Sequence, residues 1–496
     1  MPKLSPLSKV EGMTAEEELI QLREENRVLK EQVKQIAALE ELVEHLSEEV
    51  RRLQAIVAKD SHNSSLPPSS DRFVRQKKSR SLRQKSGKKP GGQAGHQGQT
   101  LQMKAEPTEI ITLPQVTQCQ HCQADLSAVA VKTVERRQLI DVPEPPPLEV
   151  TQYAGEWKRC PHCQHLTSAP FPASVGAPVQ YGPRLAALAV YLMTQQLLPR
   201  RRTKELLAEQ FGVQVSEGTL ATMIARAANH LRDIEQQIKT ALRQAKVIHQ
   251  DETGLYVMGL RFWLHVTSTS HLTHYQVHAS RGQEALDDIG ILAEFLGTSV
   301  HDGWGSYFLY HCQHALCLVH ILRHLKPLEE DLGLIWTHRL RLLLLEGKVL
   351  ADQARTQGES QLPKESLRIW KARFLALLEE ADRLHPAIPT PKGKRGKAKQ
   401  HPARNLLTHL RKHQQAVWAC LEDLAVPFDN NLAERDVRMM KVQQKISGTF
   451  RSEEGAVSFA RIRGYLSTLR KQGQHLFSAL EATLRGHPLL PSFQAT

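Results

Sequence analysis

Apolar residues recur every seven positions near the start of the chain, at Leu22, Leu29, Ile36, Val43, Val50 and Val57, with Glu, Lys and Arg between them. That period marks a helix with a single apolar seam. A second apolar set lies three residues ahead of the first at Leu19 and Val33, with Asn26 in the equivalent place, but four ahead at Leu39, Leu46 and Leu53. The slip is a stammer-like break that overwinds a supercoil locally. Residues 14–60 are therefore predicted as a parallel coiled coil that joins copies of the chain into a homo-oligomer, with the polar Asn26 setting register. The alternative is an amphipathic helix packed on its own domain.

The periodicity then stops. Residues 61–103 are dominated by Ser, Pro, Gly and Gln, and Arg72, Arg75, Lys77, Lys78, Arg80, Arg83, Lys85, Lys88 and Lys89 crowd one short stretch. Such a segment cannot bury a core. It is a solvated linker or, at this charge density, a contact for nucleic-acid phosphates through Lys77, Lys78, Arg80, Lys88 and Lys89. Helical spacing returns over 181–245, where RRTKELLAEQFGVQVSEGTLATMIARAANHL reads as a helix, a turn through Gly212, a Ser216 cap and a second helix from Glu217. The pair suits a helix-turn-helix that enters a major groove of DNA, and also a plain helical bundle.

From residue 247 the runs become strand-like. VIHQDETGLYVMG, LRFWLHVTSTS and HLTHYQVHAS succeed one another, a helix is expected over 282–296, and SVHDGWGSY supplies a fourth strand. A meander followed by αβ alternation predicts an α/β core over 246–445. Leucine-rich runs such as LRLLLLEGKVL and LRIWKARFLALLEEADRL predict a helical insertion at 325–425, and a helical segment over 446–496 ends the chain.

Charge narrows the partners. The formal net charge is +13, from 65 Lys and Arg against 52 Asp and Glu, which favours a polyanion. Nucleic acid fits better than membrane, because the longest apolar run, LAALAVYLM at 185–193, is far short of the roughly 20 residues of a spanning helix. No secretory leader is apparent at the N-terminus, so a cytosolic protein is expected. Seven cysteines are too few for a disulfide scaffold in 496 residues. Four of them form Cys119-Gln-His-Cys122 and Cys160-Pro-His-Cys163, a spacing that can bring four thiolates onto one structural Zn²⁺ in a closed site, with a short sheet between the pairs. Residues 104–170 are expected to be that small zinc-binding domain, with His121, His162 and His165 unneeded as ligands. Cys317-Leu-Val-His320 also has metal-like spacing, with Cys312 and His314 close by. On a helix beside Leu318, Ile321 and Leu325, however, a buried structural pair is preferred to a second zinc site, and Cys420 reads as core.

Three acids concentrate the candidate chemistry. Asp251 ends the first strand, Asp302 ends the fourth, and Glu434 lies in PFDNNLAERDVRMMKV, residues 427–442. On a helical wheel Glu434, Arg438 and Lys441 share one stripe and Ala433, Val437 and Met440 another, with Asn431 the expected cap. Singly, each acid suits a strand end, an Asp-Gly turn or a capping box. Together, two Asp on neighbouring strands and a Glu on a basic helix can hold two divalent ions about 3.5–4 Å apart for in-line displacement at phosphorus. Mg²⁺ matches such oxygen donors. Arg435, Arg438 and Lys441 are then candidate DNA contacts. The loop PKGKRGKAKQHPAR, with Lys392, Lys394, Arg395, Lys397, Lys399 and Arg404, is a further backbone contact or a solvated loop.

The ordered series CQHC, CPHC, HQDETG, HDGWGSY, CLVH and DNNLAERDVR, preceded by NSSLPPSSD and KKPGGQAGHQGQTL and followed by KISGTFRSEEGA and ARIRGYLSTLRKQG, resembles the transposases of the insertion sequence 66 family. The likeness implies a multidomain α/β protein with a ribonuclease H-like catalytic core, in which Asp251, Asp302 and Glu434 match the DDE positions and hold two Mg²⁺ ions. It also implies cleavage at the ends of a mobile element in double-stranded DNA, transfer of the freed 3′-OH into a target, a place at the bacterial nucleoid, and accessory proteins from the same element. It assigns Cys317 and His320 no role. Trp304 stands where Tyr is expected after Asp-Gly and should serve as an aromatic packing position. Two other readings stay open: a DNA-binding regulator with a dead catalytic fold, and a structure-specific nuclease without strand transfer.

Overall fold

A computed structural model describes residues 15–57, 101–144, 147–389 and 398–493. The expected phosphate contacts Lys77, Lys78, Arg80, Lys88 and Lys89, and Lys392, Lys394, Arg395 and Lys397 of the basic loop, lie outside the described residues. Ala15–Val57 forms one helix, α1, as the heptads predict. Its seam residues Leu22, Leu29, Ile36, Val43 and Val50 are each half exposed or more. Asn26 turns its amide onto the Leu22 carbonyl of its own helix, at 3.0 Å.

In residues 101–182 a two-stranded antiparallel ribbon forms, β1 (Trp157–Arg159) paired with β2 (Leu166–Ser168). The short sheet expected between the two cysteine pairs therefore straddles the second pair instead, and an isolated bridge from Gln118 to Asp125 straddles the first in the same way. Between the pairs, Val129, Val131, Val134, Val142 and Val150 are all exposed. Left exposed, these β-prone residues form no strand among the described residues from 126 to 156.

Helices follow: α2 (Pro183–Val190) running into a π-helical turn at Tyr191–Gln195, then α3 (Arg200–Phe211), α4 (Glu217–His230) and α5 (Arg232–Arg243). The α3–α4 turn matches its sequence signals. Gly212 ends α3 at φ +66°, and the Ser216 hydroxyl accepts the Thr219 N–H at 3.0 Å to open α4. Leu220, Met223 and Ala227 of α4 share one core with Ile462, Leu466 and Leu480 from the far end of the chain. The helix pair is thus packed within a bundle.

The main sheet has five strands, β3 (Val247–Val257), β4 (Leu260–Ser268), β5 (Thr273–His278), β6 (Thr298–His301) and β7 (Gln313–Leu316), in the order β5-β4-β3-β6-β7. The first three form an antiparallel meander, and β6 and β7 add parallel to β3. Met258 and Gly259, at φ +51° and +84°, make the two-residue turn that matches the twist of the β3–β4 hairpin. Helix α6 (Gln283–Ile289) precedes β6. At Gly297, just before β6, an added Cβ would lie 2.4 Å from the Lys246 carbonyl, so this close approach of two backbones requires glycine.

The predicted helical insertion is present as α7 (Leu318–Glu330), α8 (Ile335–Thr356), α9 (Lys364–Leu384), α10 (Pro402–Lys412) and α11 (Gln414–Glu422). Trp336, Trp370, Phe374 and Leu407 build its core, which meets the sheet at Val300 and Ala315. Helices α12 (Asn431–Ser447) and α13 (Glu453–Lys471) cover one face of the sheet, and α14 (Leu476–Leu484) joins the bundle formed by α2 and α4. Ala433, Val437 and Met440 of α12 are buried against Leu255, Leu264 and Val266, as the helical wheel predicts. Burying Val437 and Met440 contributes about 1.5–3 kcal/mol each. Among the described residues, no helix is long and apolar enough to cross a membrane.

Candidate active site

Strands β3 and β6 pair in parallel with His249 level with Val300. The pairing ends there; two residues further along each segment stand Asp251, inside β3, and Asp302, one residue past the end of β6, near enough for the Asp302 charge to act on Asp251. Asp251 accepts the Glu252 N–H at 2.9 Å, and Asp302 accepts the Trp304 N–H at 2.9 Å. The first acid is largely enclosed and the second is exposed.

Helix α12, which carries Glu434, is tied to β3 along its length. At its start the Asn430 amide donates to the Gln250 carbonyl at 2.7 Å and its oxygen lies 2.9 Å from His249 Nδ1. Because that oxygen can only accept, His249 carries its proton on Nδ1, and burial pushes the imidazole toward its neutral form. Further on, Lys441 Nζ and Gln444 Nε2 both donate to the Gly254 carbonyl at 3.2 Å. Beyond the C-terminus Phe450 pairs with Tyr256 and Met258 through backbone hydrogen bonds of 3.0 and 2.9 Å. These bonds differ from the sequence expectation at two points. Asn430 rather than Asn431 occupies the cap position, and its side chain reaches across to β3 instead of capping the helix. Lys441, expected to face DNA, points into the sheet edge; Arg435 and Arg438 are exposed, as expected.

A fourth acid, not singled out by sequence reasoning, lies beside the three. The Glu252 side chain is 2% exposed and receives Arg281 at 2.8 Å from Nε and 2.5 Å from Nη2, together with the Tyr307 hydroxyl. The Arg281 guanidinium lies 4.9 Å from the Trp263 ring centre and 4.3 Å from that of Trp304. Trp304 is therefore a packing aromatic, as its position after Asp-Gly predicted, and it couples the Asp302 loop to the Glu252 ion pair. The signal for Glu252 was its place next to Asp251 in HQDETG. Its partner, 29 positions away, left no local mark.

Burial pushes the Asp251 carboxyl up to about 7, with the Glu252 charge adding to it and Asp302 and Glu434 contributing in the same direction. Burial likewise raises Glu252, against the pull of Tyr307 and Arg281. Four carboxyl groups thus share one neighbourhood, and one of them, Glu252, has a cation of its own within 2.8 Å. The hard oxygen donors of Asp251, Asp302 and Glu434 fit a divalent cation such as Mg²⁺, which would offset their mutual repulsion.

The three acids are not drawn tightly together. Among the described residues, the set of three His, Cys, Asp or Glu ligand atoms that closes to within 4.8 Å is Cys317, His320 and Glu434. Glu434 Oε1 lies 4.0 Å from Cys317 Sγ and 3.7 Å from His320 Nδ1, and Oε2 lies 4.0 Å from both Arg323 and Arg438. Of the expected buried structural pair, Cys317 is buried at the N-cap position of α7 and His320, partly exposed, lies in its first turn; the ligand atoms of both lie near Glu434.

Each Cys-x-x-Cys pair sits at the tip of a matching turn. Gln123 N–H returns to the Cys119 carbonyl and Gln164 N–H to that of Cys160, both at 2.9 Å, with Gln123 and Gln164 at φ +62° and +58°. Backbone N–H groups of Cys122 and His121 hold the Cys119 thiol below its ordinary value, and those of Cys163 and His162 do the same for Cys160. The tips favour thiolates, but among the described residues the four sulfurs are not gathered into one cluster. Arg404, expected in a DNA-contacting loop, lies in α10 and pairs with Asp382 at 2.6 Å. Lys399 precedes that helix. Cys420 is core, as expected, and Cys312 is buried.

Comparison with known families gives two matches. Residues 178–458, more than half of the chain, match a family model described as transposase IS66 family, and residues 15–102 match a family of unknown function, DUF6444. No curated protein matches the chain.

Proposed function

We propose, since this chain belongs to the IS66 family of transposases, that it is a DNA transposase that cuts the ends of its element and joins the freed 3′-OH to target DNA. The observation that carries this reading is the anchoring of three acids on one framework. Asp251 lies on β3 and Asp302 one residue past the end of β6, the strand paired in parallel with β3, and the Asn430 side chain bonds the start of the Glu434 helix to the Gln250 carbonyl. The strand order, with an antiparallel meander followed by two parallel strands, supports a ribonuclease H-like core. Glu434 enters on a helix packed over that sheet, after the helical insertion.

Asp251, Asp302 and Glu434 are the proposed DDE residues and the holders of two Mg²⁺ ions. Such ions supply charge for the attacking and leaving oxygens of an in-line displacement. The chain's own residues align the reacting phosphate. Arg435 and Arg438, exposed on α12, meet the DNA backbone, joined by Lys77, Lys78, Arg80, Lys88 and Lys89 of the basic segment. The Arg281 ion pair holds the Asp302 loop through Trp304. The α3–α4 pair is a further DNA-binding candidate, with Arg201, Arg202 and Lys204 exposed on α3. The matched cysteine turns support closure of Cys119, Cys122, Cys160 and Cys163 on one Zn²⁺. The exposed seam of α1 supports a homo-oligomeric coiled coil. Work in the cytoplasm at the nucleoid, and accessory proteins of the same element, belong to the same reading.

The test is Mg²⁺-dependent cleavage and strand transfer on DNA carrying the element's ends, with those accessory proteins supplied. Asp251→Asn, Asp302→Asn and Glu434→Gln should each bind the ends and cut at least 100-fold more slowly, on the order of the loss of one key electrostatic group. Cleavage without joining would establish the nuclease alternative, and end binding with no cleavage by the unmodified protein would establish the regulator.

A further inference from the structure

Cys317, His320 and Glu434 come from two distant parts of the chain and meet at the edge of the acidic neighbourhood. We propose that they form a site for a borderline divalent ion of the Zn²⁺ class, separate in chemistry from the all-oxygen Asp251 and Asp302 side. Thiolate, imidazole and carboxylate together select such an ion over Mg²⁺. Three protein ligands leave a fourth position open for water or a phosphate oxygen.

The geometry is close to what that ion requires. Bonds of about 2.3 Å to sulfur and about 2.0–2.1 Å to nitrogen and oxygen give tetrahedral edges of roughly 3.3–3.6 Å. The Glu434 Oε1 separations of 3.7 Å from His320 Nδ1 and 4.0 Å from Cys317 Sγ exceed those edges by a few tenths of an ångström. Side-chain adjustment alone covers that difference. Two independent features point the same way. His320 Nδ1 is buried with no hydrogen-bond partner, a costly state that a metal bond would relieve. The Asn430 backbone N–H donates to Cys317 Sγ at 3.2 Å, the kind of outer contact that stabilises a metal-bound thiolate. With an ion on Nδ1 the proton of His320 sits on Nε2, and Arg323, now 3.4 Å from that atom and 37% exposed, turns toward solvent.

The site also bears on Glu434 itself. Its Oε1 would face this ion, leaving Oε2, 4.0 Å from Arg323 and Arg438, as the oxygen that serves the Mg²⁺ side. A bound ion would therefore fix the rotamer of the proposed DDE glutamate before any DNA arrives.

Full-length protein expressed in zinc-poor medium with Co²⁺ supplied tests the proposal without stripping metal. Elemental analysis counts Co²⁺ per chain, and the thiolate-to-cobalt band in the near ultraviolet reports sulfur ligation. Cys317→Ser, His320→Ala and Glu434→Gln should each carry one equivalent less than the unmodified chain, and Cys317→Ser should lose part of the charge-transfer band. Equal cobalt content and an unchanged band in variants with unchanged circular dichroism would overturn the site. Should Cys317→Ser fail to fold, the partly exposed His320 and Glu434 positions give the same decision. The readout involves no DNA, so cleavage lost in Glu434→Gln with cobalt unchanged would sink this site and leave the transposase reading standing.

Discussion

Replacing Asp251 by Asn should make the metal-free protein more stable. Burial and the Glu252 charge raise the Asp251 carboxyl from 3.8 to about 7. A folded-state value above the unfolded one means that the native state binds the proton more tightly. Stability from this group is therefore complete below about pH 4 and is lost as pH rises through about 7. About three pKa units correspond to about 4 kcal/mol at 1.36 kcal/mol per unit. Asn is nearly isosteric, is never charged, and keeps an oxygen to accept the Glu252 N–H. In EDTA at pH 7.5 the catalytic unit of Asp251→Asn should thus be more stable by up to about 4 kcal/mol, raising its midpoint by roughly 10 °C. At pH 4.5 most of the difference should vanish. Mg²⁺ at 100 times its dissociation constant would add about 2.7 kcal/mol to the unmodified protein and narrow the gap. Differential scanning calorimetry of both proteins at the two pH values decides the matter. A variant that melts at or below the unmodified protein at pH 7.5, or a gap that is the same at pH 4.5, would refute the reasoning.

Arg281→Ala removes the cation facing a Glu252 side chain that is 2% exposed, and should cost about 3–5 kcal/mol in a denaturant titration. Adding Glu252→Gln should recover part of that loss, since no buried charge is then left unpaired; simple additivity of the two changes would contradict the ion pair. Cys119→Ser or Cys160→Ser should lower the zinc content of the full chain by one equivalent, and unchanged zinc by elemental analysis would rule out the shared site. Deletion of residues 1–60 should lower the molar mass in light scattering, and an unaltered oligomer would remove α1 from the assembly interface.

What could be foreseen in the sequence followed the range of the forces involved. The α1 heptads, the Gly212 and Ser216 signals and the strand runs act over a few residues, so their elements form where the pattern places them. Asp302 stands one residue past the end of β6, as expected, but Asp251 does not end its strand: β3 runs on to Val257, because the residues after Asp251 pair with β4 as far as the hairpin turn. The basic stripe on α12 was half misleading: Arg438 is exposed, but Lys441 finds the Gly254 carbonyl 187 positions away. The DNN sequence misled more completely, because a residue type that usually caps its own helix is here used in tertiary bonds. Asn430 is 1% exposed and binds Gln250 and His249 about 180 positions away, contacts no local rule contains.

That use of Asn430 explains why an acidic cluster and a soft-ligand trio coexist so closely. One residue bonds β3 through its side chain and Cys317 through its backbone N–H, so the strand carrying Asp251 and the turn carrying Cys317 are set relative to the same point on α12. Glu434 lies four residues later in the first turn of α12, and its own N–H returns to the Asn430 carbonyl at 3.1 Å. Any change in that point moves the glutamate relative to both groups at once. Asn430→Ala would leave the Gln250 carbonyl without its buried donor, a cost of about 1–3 kcal/mol, while the backbone N–H to Cys317 remains. Position on the Asp251 side depends on the Asn430 side chain, and position on the Cys317 side depends on its backbone, so the two sides of Glu434 are separable by mutation although they share a single residue.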